Sequence, residues 1–135
     1  MAAEKAFVAR RPLPEFVLWD KMKRRKAPVG FDIELTARCN LACRHCYINL
    51  PAGDKTAKAN ELTAVEIERI AGEAVSLGAV WCLLTGGEPL LRKDFFDVYT
   101  ALRKKGLLVS VYTNATLVRA EIHGMYFLGL FPQGF

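Results

Sequence analysis

Short apolar runs with the period of a strand alternate in this chain with longer runs of helical period. FDIELT (31–36) sets Phe31, Ile33 and Leu35 against polar neighbours, the pattern of a strand. Thr63 then stands three residues before Glu66, a capping box that opens a helix. That helix carries Ile67, Ile70, Ala71, Ala74 and Val75 at helical spacing, and Gly78 closes it. VWCLL (80–84) is short, apolar and uninterrupted, as in a strand buried on both faces. Asp94 can cap a second helix with Phe95, Val98 and Leu102 on its inner side; Lys104 and Lys105 suit its dipole, and Gly106 ends it. LLVSVYT (107–113) is the third strand. Strand, helix, strand, helix, strand implies parallel strands with right-handed helical crossovers, an α/β layer or barrel.

In such folds ligand chemistry gathers at the carboxyl ends of the strands. Three polar segments bearing glycine, cysteine or asparagine fall there: 37–49, 85–89 and 113–115. Their placement argues for one shared site. PAGDKTAKAN (51–60), small and polar, reads as a longer surface loop.

The first of these segments holds Cys39, Cys43 and Cys46, three of the chain's 4 cysteines. The 135 residues are 52% hydrophobic and 24% charged, enough to bury a core and too apolar for a disordered chain. No apolar run is long enough to span a membrane, and the first residues lack the apolar core of a secretory signal. The expected compartment is therefore the cytoplasm, where clustered thiols bind metal more often than they form disulfides. Thiolates suit iron–sulfur clusters and zinc. A structural zinc site closes with four ligands. His45 is adjacent to Cys46 and would be strained on the same ion, and Cys82, mid-strand, reads as a small buried hydrophobe. Three ligands and one open position suggest chemistry rather than a structural staple.

Cys-x3-Cys-x2-Cys directly after a strand resembles the signature of the radical S-adenosylmethionine (SAM) enzymes. GGEP (86–89) is similar to that superfamily's second motif, and TNAT (113–116) resembles the segment after its third strand. The resemblance covers about Phe31 to Val118. It implies a partial parallel (β/α) barrel in which Cys39, Cys43 and Cys46 ligate a 4Fe-4S cluster whose fourth iron is chelated by the amino and carboxylate groups of SAM. One electron from the cluster would then cleave SAM to a 5′-deoxyadenosyl radical. It also implies cofactor-binding roles for five residues. His45 holds the place where the family usually has an aromatic residue that meets adenine. Gly86 and Gly87 would let backbone approach the methionine amino group, Glu88 would accept from that ammonium, and Asn114 could point into the cavity. The flanks CNLACRHCY and LTGGEPLLR resemble the subgroup that modifies peptides or haem precursors. A flavodoxin- or ferredoxin-like reductant and a peptide or small-molecule substrate would be the partners. A cluster-binding electron-transfer protein without SAM chemistry, or a zinc module, would explain the cysteines but would not need GGE.

The family core has six strand–helix units, about 190 residues at the unit length of the eight-fold barrel. About three fit in this chain. After Glu121 the sequence HGMYFLGLFPQGF has no charged residue, and Gly124, Gly129 and Pro132 oppose a third helix. The expected division is an irregular basic lead-in (1–30, with a short helix around Phe16 to Lys23), a partial core (31–119) and an aberrant apolar tail (120–135). A truncated core, a fragment of an enzyme, is the reading placed ahead of a subunit completed by a second polypeptide and of an intact small protein. Such a chain alone is expected to cleave SAM poorly. Much of the net charge of +5 comes from DKMKRRK (20–26), read as a solvated run, since no nucleic-acid motif accompanies it.

Overall fold

The computed structural model describes residues 28–48 and 50–118. Its main sheet has three parallel strands, β1 (Gly30–Glu34), β4 (Trp81–Thr85) and β5 (Leu108–Val111), in that spatial order. The register sets Ile33 beside Leu84, and Leu84 beside Val111. Two helices link the strands, α2 (Ala64–Leu77) and α3 (Phe95–Lys104). This is an α/β parallel sheet with helical crossovers, consistent with part of a radical SAM barrel. Two two-residue strands, β2 (Arg38–Cys39) and β3 (Leu50–Pro51), pair in parallel and tie the cysteine loop at its base. No helix among the described residues is long and apolar enough to cross a membrane.

One face of the sheet meets the helices. Ile33, Leu35, Cys82, Leu84 and Val109 pack there against Ile67 and Ala71 of α2 and Phe95, Val98 and Leu102 of α3. Burial of each larger side chain is worth about 1.5–3 kcal/mol. The helix ends follow local rules. Thr63 and Glu66 form both halves of the capping box, and Gly78 closes α2 at φ 107°, where a glycine carries no Cβ penalty. Lys105 of the α3 end pairs with Glu68 of α2 at 3.1 Å.

Four expectations change. Strand β4 is not buried on both faces: Trp81 is 39% exposed and the burial alternates along the strand. Among the described residues the helices cover one face only. The other borders a groove of about 420 Å³ lined by Asp32, Trp81, Leu83, Ser110 and Tyr112 among others. Asp94 stands at the start of α3 but makes no side-chain cap, because its carboxylate takes two bonds from Arg92, at 2.9 and 2.7 Å. The loop expected over 51–60 contains a helix, α1 (Lys55–Ala59), capped by Asp54, whose Oδ1 accepts from the Ala57 N–H at 2.8 Å. Strand β5 is shorter than 107–113: Tyr112 N–H still donates to Leu84 O at 2.9 Å, but Thr113 and Asn114 turn to the Glu88 carboxylate instead. The basic run 20–26, the helix expected around Phe16 to Lys23 and the tail 120–135 lie outside the described residues.

Candidate functional site

Beyond Glu34, β1 continues into a strap, Leu35–Ala37, that enters the cysteine loop. The strap is held by backbone. Gly87 N–H donates to Thr36 O at 2.7 Å and Glu88 N–H to Arg38 O at 2.9 Å. The approach is so close that a Cβ on Gly86 would stand 2.3 Å from Thr36 O, and one on Gly87 2.3 Å from Arg38 O. Gly86 also has φ 133°, which side chains rarely adopt. The space that a Cβ would need at either glycine is thus taken by the chain's own backbone at Thr36 to Arg38.

Side chains lock the strap from the other side. Arg38, buried, donates from Nε to Glu61 at 2.7 Å and from Nη1 to Ala52 O at 2.8 Å. Arg92, also buried, reaches Leu35 O at 3.1 Å and Leu62 O at 2.7 Å. Burial raises the Glu61 pKa, but hydrogen bonds from Arg38 and Thr36, with the charges of Arg38 and Arg92, outweigh it and hold the carboxyl below the usual range.

Glu88 is 0% exposed. Its Oε1 accepts from Leu90 N–H at 2.9 Å, its Oε2 from Asn114 N–H at 2.8 Å, and the Thr113 hydroxyl lies 2.9 and 3.0 Å from the two oxygens. The GGE turn therefore grips the segment after β5. That segment in turn touches the cysteine loop: Asn114 Nδ2 donates to Asn40 Oδ1 at 3.0 Å and lies 3.8 Å from Cys39 Sγ, while Asn40 Nδ2 donates to Thr116 Oγ1 at 2.7 Å. The three strand-end segments do meet, as their positions in the sequence implied.

Within the loop all three thiols are free. Cys39 is half-buried and accepts from Leu41 N–H at 3.4 Å; Cys43 and Cys46 are exposed. Cys46 N–H donates to Cys43 O at 3.1 Å, closing a turn with exposed His45 at its tip. Cys82 lies apart in the core, and burial, with a smaller effect of Asp32, pushes its thiol up to about 12. Among the described residues no three Cys, His, Asp or Glu side chains converge on a point that would hold one ion. Cluster ligation does not demand such convergence, because each thiolate binds its own iron. Three soft donors on one loop, closed at its base by β2 and β3, fit a cluster better than a single closed zinc site.

Sequence reasoning did not single out Thr36, Arg38, Asn40, Tyr47, Glu61, Arg92 or Thr113. Tyr47 donates from its hydroxyl to Glu34 at 3.0 Å, pinning the far end of the loop to β1. The signal was weak: polar residues just past strand ends.

Comparison with known proteins agrees with this architecture. The family model of the radical SAM superfamily matches residues 33–125. The chain is 42% identical over 89 residues to an AdoMet-dependent heme synthase of Methanosarcina barkeri, covering 66% of this chain and 25% of that protein. It is 38% identical over 112 residues to an Fe-coproporphyrin III synthase of the same organism, 83% of this chain and 27% of the relative. To a PqqA peptide cyclase of a Methylobacterium species it is 36% identical over 88 residues, 65% of this chain and 22% of the relative. The chain thus spans about a quarter of the length of these curated relatives. No solved structure matches it significantly.

Proposed function

The chain belongs to the radical SAM superfamily, and on that premise we propose that Cys39, Cys43 and Cys46 hold a 4Fe-4S cluster beside a SAM site edged by the GGE turn. When bound, the cluster would supply the electron that cleaves SAM reductively to a 5′-deoxyadenosyl radical. The chain's own contribution is positional. The β2–β3 bridge fixes the ends of the loop, and the Gly87 and Glu88 backbone bonds hold its entry strap. Gly86 and Gly87 offer the backbone edge nearest the loop, and exposed His45 offers a planar ring at its tip. The names of the relatives support a substrate of the peptide or haem-precursor kind. A low-potential flavodoxin- or ferredoxin-like donor would deliver the electron.

One observation carries this reading: all three strand-end segments contact one another around the cysteine loop, through Glu88 to Arg38, Glu88 to Asn114, and Asn114 to Cys39 and Asn40. The test is anaerobic reconstitution with iron and sulfide, compared with the Cys43→Ala variant. The wild type should hold about four irons, and the variant should lose most of them. Equal iron in both, or zinc in the wild type, would sink the assignment.

A second reading has one observation in its favour. Glu88 is 0% exposed and both its oxygens already accept from the chain, so a ligand ammonium reaches it only if the surrounding turn moves. A cluster-binding protein without SAM chemistry would suit that. Equilibrium binding of SAM to the reconstituted chain separates the two.

A further inference from the structure

The amide of Asn114 has only one orientation that its neighbours allow. Its Oδ1 accepts from Thr116 N–H at 3.0 Å and from the Thr116 hydroxyl at 2.6 Å. A flipped amide would put NH2 against the Thr116 N–H, donor against donor. Nδ2 must therefore face the cysteine loop, where it meets Asn40 Oδ1 at 3.0 Å and Cys39 Sγ at 3.8 Å. The backbone beneath is equally constrained: Asn114 N–H is held by Glu88 at 2.8 Å, and Ala115 N–H by the Thr113 hydroxyl at 3.0 Å.

The three thiols consequently sit in unequal surroundings. Cys39 has two N–H groups aimed at its sulfur, one from Leu41 and one from Asn114. Cys46 instead points its Sγ at Ile48 O, at 2.7 Å. A carbonyl at that distance suits a thiol, and would repel a thiolate.

We propose that Asn114 is a positioning residue for Cys39, donating to its thiolate so that the cluster becomes easier to reduce. The argument rests on the cluster reading above. A donor to a ligating sulfur withdraws electron density and favours the reduced, more negative state, and hydrogen bonds to sulfur are among the protein's means of setting such potentials. Because Glu88 aims Asn114, the second motif acts on the cluster through the third strand end, whether or not it also touches SAM.

The experiment measures the reduction potential of the anaerobically reconstituted full chain, followed by electron paramagnetic resonance, for the wild type, Asn114→Leu and Asn114→Asp. Asn114→Leu removes the donor. Asn114→Asp keeps the acceptor for Thr116 and sets a carboxylate against Cys39, so it carries the test if the leucine variant fails to fold. Both potentials should fall, by about tenfold in the reduction equilibrium for leucine, or about 59 mV for one electron, and further for aspartate. A residue that merely held the turn would lower thermal stability and leave the potential in place. Wild-type potential in the loaded variants overturns this inference alone. So does loss of the cluster from both with helical content intact, which would make Asn114 a fastener of the loop. Failure of the wild type to take up iron overturns the cluster reading, and this inference with it.

Discussion

Leu84 and Gly86 stand two residues apart, on either side of a change in what holds the chain together. Around Leu84 the contacts are apolar and interchangeable: Ile33, Val98, Leu102 and others fill one space between sheet and helices. Around Gly86 they are polar and particular. Backbone N–H groups of Gly87 and Glu88 meet named carbonyls of the strap, two buried arginines are each tied to a carboxylate and to backbone oxygens, and a buried glutamate has three partners. The first region tolerates change that keeps volume. The second tolerates little, because a lost partner leaves a buried polar group unpaired.

The largest expected effect separates the two faces of β4. Leu84→Ala should cost about 2–5 kcal/mol in urea unfolding, since Leu84 is 0% exposed. Leu83→Ala, on the groove side, should cost well under half as much. Equal costs would mean that the groove face is also packed and would erase the distinction.

Next comes Gly86→Ala, about 3 kcal/mol from the Cβ collision with Thr36 O and the backbone strain together. Gly53→Ala, where a Cβ meets nothing within 4 Å, is the control and should be nearly neutral. If both alanines were tolerated alike, the strap would be looser than its hydrogen bonds imply.

Glu88→Gln sharpens the comparison further. The amide NH2 must face a donor from Thr113, Asn114 or Leu90, at about 1–3 kcal/mol. If Glu88 also meets the SAM ammonium, affinity should drop about ten- to a hundredfold, as befits a charge-assisted bond. Lowered stability with unchanged SAM affinity would confine Glu88 to its grip on the strand end.

The smallest effect is a pH dependence. Glu61 is held below the usual glutamate range, so its contribution is complete above about pH 4.3, the ordinary value, and is lost as the pH falls through the lower folded value. Wild-type stability should therefore fall on acidification from about pH 5 to 3 more steeply than that of Glu61→Gln. Parallel curves would show that Arg38 holds the strap without its carboxylate.

Helix α2 was legible to its ends, because Thr63, Glu66 and Gly78 act on backbone groups within a turn or so of themselves. Helix α1 was missed although Asp54 is a good cap, because five residues carry too little apolar periodicity to stand out among polar ones. At Asp94 a cap was expected and an ion pair formed, since Arg92 offers charged donors two residues away. The cysteine triad and the order of the three strand-end segments were plain in the sequence. What each segment touches was not.

By itself, then, the sequence determined the alternation of strands and helices, the caps of α2 and the thiol loop, all of which depend on neighbours a few residues apart. The tertiary structure decided which face of β4 is covered, why Gly86 and Gly87 must lack side chains, and where the Glu88 carboxylate and the Asn114 amide point. Asn114 and Cys39 are 75 residues apart along the chain, and Thr36 and Glu61 are 25. The parallel sheet sets the strand ends that carry Cys39 and Asn114 near each other, the turn between α1 and α2 brings Glu61 to Thr36, and no local pattern in the sequence encodes either distance.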